Sequence, residues 1–134
     1  MVKSMSHFIV YKTSIGNVTV ELLVQAVEFA SEQMGAKVFH GQIPFAFGEA
    51  QNVVVGMQTK AMRSPIGFNL DSQGNLEVCG DSWQQADEFN RVKTMATSGA
   101  LTNSYIAWCK ATRNRMRVKI EYQQDQVYLE AVSI

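Results

Sequence analysis

Between residues 65 and 83 the chain reads PIGFNLDSQGNLEVCGDSW. Two short runs rich in Ile, Phe, Leu and Val stand on either side of Asp71-Ser72-Gln73-Gly74. An Asp early in such a turn can hold backbone amides with its carboxylate, and a Gly late in it accepts a positive φ at no steric cost. The pattern predicts a hairpin, with strands over 66–69 and 76–79. A two-stranded hairpin is marginal in water. A chain that commits to one must therefore supply further strands beside it or an apolar layer above it.

The rest of the sequence supplies both. Residues 6–13, SHFIVYKT, read as a strand ending in the turn signal Ser14-Ile15-Gly16-Asn17. Asn17 or Thr19 then starts a helix whose apolar positions, Val20, Leu23, Val24, Val27, Ala30 and Met34, recur at three- and four-residue spacing and share one face. Glu21, Gln25, Glu28 and Glu32 take the wet face, and Gly35 supplies a left-handed stop. Residues 37–40 form a short strand. Residues 41–48 contain Pro44 and are expected to be irregular or an edge, since proline cannot donate to a ladder. Residues 52–57 are apolar on both faces, which suits a central strand. A second helical region follows Asp81-Ser82-Trp83, with Phe89, Val92 and Met95 or Ala96 on one face, a break at Thr97-Ser98-Gly99, and helix again over 104–112. Residues 118–122 and 127–132 alternate and predict a C-terminal hairpin. The fold class expected is α+β: a single domain over 1–134, order β-α-β-β-β-β-α-β-β, mainly antiparallel, with helices on one face and a ferredoxin-like flavour. Residues 1–5 read as an alternative start or an unstructured leader to the first strand.

The 134 residues are 46% hydrophobic and 18% charged, a globular balance with enough apolar surface for one core. No eighteen-residue apolar run is present, so no membrane span is expected, and the N-terminus lacks the apolar segment of a secretory leader. Cys79 and Cys109 sit in ordinary strand and helix patterns and are expected to be free thiols in a reducing, cytoplasmic setting. The net charge is zero, yet it is unevenly spread. Residues 71–88 carry acids and no base, while 89–120 carry bases and no acid. Separated charges on a neutral chain favour self-association, and a homodimer or a protein partner is expected. The large apolar groups Phe39, Phe45, Phe47 and Met57 are either partly core or a patch through which the chain dimerises or docks a partner, and the strand near 53–57 adds an edge or face that would gain from being covered.

The opening Met5-Ser6-His7-Phe8, the Lys12-Thr13 strand end, the helix closing on Gly35, Ile66-Gly67-Phe68, and Glu77-Val78 followed by Gly80-Asp81 and Trp83 together resemble the hypothetical chloroplast reading frame thirty-five family. That family occurs in plastids, cyanobacteria, other bacteria and some phages. The order of elements agrees along almost the whole chain. A single Trp83 after Ser82 stands where the family often has an aromatic pair, and Tyr105-Ile106-Ala107 only approximates its Tyr-Ala pair. The resemblance implies a small α+β domain with no assigned activity.

Chemistry is sparsely signalled. His7 and His40 have no metal-ligand spacing between them or with the cysteines, so no metal site is expected, and no phosphate loop or nucleophile elbow implies a cofactor or covalent catalysis. His7 and Asp81 are the candidate polar site because both fall in the family-like motifs; the competing role for Asp81 is to cap the turn or helix that follows. Residues 110–119 carry Lys110, Arg113, Arg115, Arg117 and Lys119 beside Tyr105 and Trp108. Such a mixture can hold phosphates and stack a base, or it can be a solvated helix end that complements the helix dipole. The leading expectation is a non-enzymatic accessory or protein-interaction domain. A polyanion- or RNA-binding protein using Lys110, Arg113, Arg115 and Arg117 is the alternative, and an enzyme centred on Asp81 is the third reading.

Overall fold

A computed structural model describes residues 8–12, 18–44, 49–123 and 126–133. Along the chain these form β1 (Phe8–Lys12), α1 (Val20–Met34), β2 (Lys37–Pro44), β3 (Ala50–Gln58), β4 (Ile66–Leu70), β5 (Leu76–Asp81), α2 (Ala86–Thr97), α3 (Ala100–Arg113), β6 (Met116–Gln123) and β7 (Gln126–Ser133). The order is the expected α+β order, and the second helical region is divided where the sequence signals a break. Its break falls at Ser98 and Gly99, and helix resumes at Ala100 rather than at Ser104.

Five strands make one antiparallel sheet in the spatial order β1-β5-β4-β3-β2, while β6 pairs with β7 in a separate two-stranded sheet. β2 to β5 meander side by side, and α1 carries the chain from the edge strand β1 to the opposite edge, β2. Pro44 ends that edge strand, as its missing donor requires.

α1 starts where Thr19 Oγ1 accepts the Leu22 N–H at 3.0 Å, which satisfies one of the orphan amides of the first turn. It stops at Gly35, whose φ of +68° costs glycine nothing. Leu23, Ala26, Val27, Ala30 and Ser31 are buried, and Glu21, Glu28 and Glu32 face water. Val20 departs from the expected stripe. It is 53% exposed, because the first helical residue has no layer packed against it. Val24 and Met34 are half-buried at the margin of the core.

The main core lies between the helices and one face of the large sheet. Leu23, Val27 and Ala30 of α1, Phe89, Val92 and Met95 of α2, and Leu101 of α3 close on Val55, Met57, Ile66, Phe68, Leu76 and Val78. The expected docking face at 53–57 is therefore corrected: β3 is interior to the sheet, and Val53, Val55 and Met57 are buried. Phe45 and Phe47 lie outside the described residues.

The opposite face of the sheet carries a second, smaller core of Ile43, Val53 and Cys79, with Phe39 packed against it. Phe39, Gly56, Gly67, Cys79 and Val10 follow one another across the five strands in register. The two glycines form its floor. A Cβ on Gly56 would lie 2.5 Å from Ile43 Cγ2, and one on Gly67 would lie 2.5 Å from Val53 Cγ1 and 3.0 Å from Cys79 Sγ. Between His40 and Gln42 the β2–β3 register shifts, which turns the end of that ribbon so that Ile43 and Val53 both lie on the glycines.

Candidate functional site

Asp81 ends β5 and is 5% exposed. Its Oδ1 accepts the Trp83 N–H at 2.9 Å, so it caps the turn that leads to α2, whereas the residue that precedes the helix itself is Gln85. Gln85 is the tie of this corner. Its Oε1 accepts the amides of Arg63 at 2.5 Å and Ser64 at 3.1 Å, and its Nε2 donates to Ser64 O at 3.2 Å, to Ser64 Oγ at 3.0 Å and to Asp81 O. The connection between β3 and β4 is thereby fastened to the connection between β5 and α2. Beside it Thr59 Oγ1 donates to Glu88 Oε2 at 2.6 Å, Arg91 pairs with Glu88, and the Arg63 guanidinium lies 5.4 Å from the Trp83 ring centre. The Arg91 bond, with help from Thr59, holds the Glu88 carboxyl below its ordinary pKa against the cost of burial. The polar groups of this corner answer one another.

His7, the other half of the candidate polar site, lies outside the described residues. Glu77 and Cys79 share a face of β5, as alternation requires. Burial, and then the Glu77 charge, push the Cys79 thiol up to about 11 against the pull of a Gly67 backbone hydrogen bond. A thiol so placed is neutral at pH 7 and a poor nucleophile. Among the described residues no group of three His, Cys, Asp or Glu side chains is placed to hold a metal ion, and no helix is long and apolar enough to cross a membrane.

The basic segment is split between two elements. Lys110 and Arg113 occupy the last turn of α3, where positive charge meets the helix dipole. Arg115 stands in the connection with φ +59° and Arg117 on β6. All four are exposed, and among the described residues none has a carboxylate within ion-pairing distance. Lys119 differs, since it pairs with Glu121 at 3.2 Å and stands opposite Glu130 of β7. The aromatic partners foreseen for a base are already engaged. Trp108 packs 4.6 Å from the ring centre of Phe29 on α1, and Tyr105 packs 5.6 Å from it. That cluster joins α3 to α1. Phe29 lies off the helix stripe, and the sequence pattern carried no signal for its role.

The C-terminal hairpin is the least covered of the described elements. None of its described residues is buried on either strand. The even-numbered residues of β6 and Val127, Leu129 and Ala131 of β7 are turned inward but only half covered; of these, Tyr122 and Val127 reach the main core. The outer face carries Arg117, Lys119, Glu121 and Glu130 together with Tyr128 and Val132, each 52% exposed. Along β6, Ile120, Glu121, Tyr122 and Gln123 line an open groove of about 420 Å³ whose other wall is Gln33, Met34 and Arg91.

No family model, curated protein or solved structure matches the chain.

Proposed function

We propose that this chain is a non-enzymatic accessory domain that works by binding protein, with the hairpin β6–β7 as its contact surface. One observation carries the reading. The hairpin is a sheet of two strands with a half-covered inner face, while every other described strand belongs to a five-stranded sheet. Two strands alone are marginal, and further strands or a covering layer complete them. Exposed Tyr128 and Val132 add apolar surface of the kind that interfaces use. The Asp81 corner takes no part in the proposal because its groups are committed to one another. A homodimer, a cytoplasmic setting and kinship with the chloroplast reading frame family belong to the same reading.

The test is a photo-crosslinking residue placed at Tyr128 or, as control, at Glu32 on the wet face of α1. Protein adducts, with this chain or another, should form from Tyr128 in preference to Glu32. Equal or absent adduct formation at the two positions would overturn the reading.

A polyanion-binding role is favoured by one separate observation, the four exposed cations without carboxylate partners. If it holds, binding to single-stranded RNA should weaken steeply with salt, because phosphate contacts release counterions. Replacing Arg113, Arg115 and Arg117 by glutamine should remove it. No binding by the wild-type chain at low salt would dispose of this role.

A further inference from the structure

We propose that the protein bound by the hairpin is a second copy of this chain, added antiparallel along the open edge of β6 with Ile120 facing the second copy's Ile120 across a two-fold axis. The proposal rests on the interaction reading above and makes it specific.

The backbone geometry comes first. Gln123 stands opposite Gln126 with two residues between them, and the pair that closes so tight a hairpin exchanges both hydrogen bonds. Alternation then directs the backbone groups of Arg117, Lys119 and Glu121 toward β7. Those of Val118, Ile120 and Tyr122 point out of the other edge. Among the described residues no strand takes them up. An open groove runs beside residues 120–123.

The charges then choose the partner and the register. Around Ile120 the sequence Val118-Lys119-Ile120-Glu121-Tyr122 inverts its charge. An antiparallel copy centred there sets Lys119 opposite Glu121 twice, Val118 opposite Tyr122 twice, and Arg117 opposite Gln123. Like-charged side chains directly opposite destabilise a ladder, and opposite charges stabilise it. A shift of two residues one way puts Lys119 against Lys119, and the other way Glu121 against Glu121. A shift of one exchanges the faces of the strand. The edge of β7 offers no such match, since centring on Glu130 opposes two glutamates and centring on Leu129 sets Glu130 against Tyr128. The product is one four-stranded sheet with the half-covered Val118, Ile120 and Tyr122 of both copies side by side.

Sedimentation analysis at micromolar concentration tests the pairing. The wild-type chain should be a dimer. Lys119→Glu and Glu121→Lys should each weaken it by about tenfold or more, since every change acts twice across the axis. An equimolar mixture of the two variants should recover a heterodimer, because the acidic strand of one then meets the basic strand of the other. Lys119→Glu also faces Glu130, so its fold is checked by circular dichroism. Val118→Pro serves as a second probe, because it removes an outward N–H at a position where an edge strand tolerates proline; it should give a folded monomer. A monomeric wild type would mean that the edge charges keep copies apart, and would overturn the self-pairing. A dimer that survives all three substitutions would overturn the register. Either result leaves the crosslinking test of the hairpin to be judged on its own, since adducts with another protein at Tyr128 would still support the interaction reading.

Discussion

Two antiparallel hairpins in this molecule have the same alternating sequence pattern and opposite fates. In β4–β5, Ile66, Phe68, Leu76 and Val78 lie under the three helices, and Gly67 and Cys79 lie under Ile43 and Val53 on the reverse face. β1 and β3 flank the pair on both edges. In β6–β7 one face is half covered, the other is in water, and no described strand flanks it. Alternation says which side chains share a face. How far that face is buried depends on the layers that later parts of the chain provide.

The largest expected effect follows directly. Phe68→Ala should cost about 3–5 kcal/mol, the loss for a large aromatic at the centre of a core with little room to collapse. Ile120→Ala, a deletion on the inward face of the other hairpin, should cost about 1 kcal/mol, since only part of the side chain leaves water on folding. Chemical denaturation in the Val118→Pro background, which the proposed pairing expects to be monomeric, would separate folding from any association. Equal losses at the two positions would erase the contrast between the hairpins.

A second, smaller effect sharpens the claim that β4–β5 is packed on both faces. Gly67→Ala adds one carbon and should cost about 1–3 kcal/mol, because Val53 Cγ1 and Cys79 Sγ occupy the space it needs. In a Val53→Ala background the same change should cost less than the sum of the single losses, since the two sites share one volume. Val132→Ile, which adds one carbon to the outer face of β7, should stay within about 0.5 kcal/mol. Additive losses for Gly67→Ala and Val53→Ala would show that the small core is not the obstacle.

The parts legible in sequence are those fixed by local chemistry. Asp71 Oδ1 accepts the amides of Gln73 and Asn75, each at 2.8 Å, and Gly74 takes φ +81°, so the turn was readable from two residues. The same is true of Thr19 and Gly35 at the ends of α1, and of Phe89, Val92, Met95 and Ala96 on the buried face of α2. What escaped depends on contacts between distant segments. Gln85 reads as an ordinary polar residue beside Gln84, yet it ties Ser64 to Asp81. Residues 53–57 read as apolar on both faces, which suits an interior strand and an exposed patch equally well. Only the return of β2 on one side and β4 on the other decides between them. The basic segment was legible as charge, but its sharing between a helix end, a connection and a strand was not.

The smallest expected effect concerns the one inward residue of β6 that reaches the main core. Tyr122 is half-buried, and its hydroxyl makes no hydrogen bond among the described residues. Ser104 lies near enough to oppose the shift in its pKa, but the Ser104 hydroxyl donates to Leu101 O at 3.0 Å. Burial dominates and pushes Tyr122 up to about 12. A buried hydroxyl without a partner loses its hydration and gains nothing in return, so Tyr122→Phe should leave stability unchanged or raise it by up to about 1 kcal/mol at pH 7. The sign with pH is fixed. The folded state favours the neutral phenol, so the contribution from the raised pKa is complete below the unfolded value of about 10 and disappears as pH rises through about 12. Wild type should therefore lose stability relative to the Phe variant across that alkaline window, read as the difference between two urea titrations at each pH. If Tyr122→Phe instead costs as much as Ile120→Ala, the hydroxyl has a partner in solution, and this end of the hairpin is more completely built than the rest of β6.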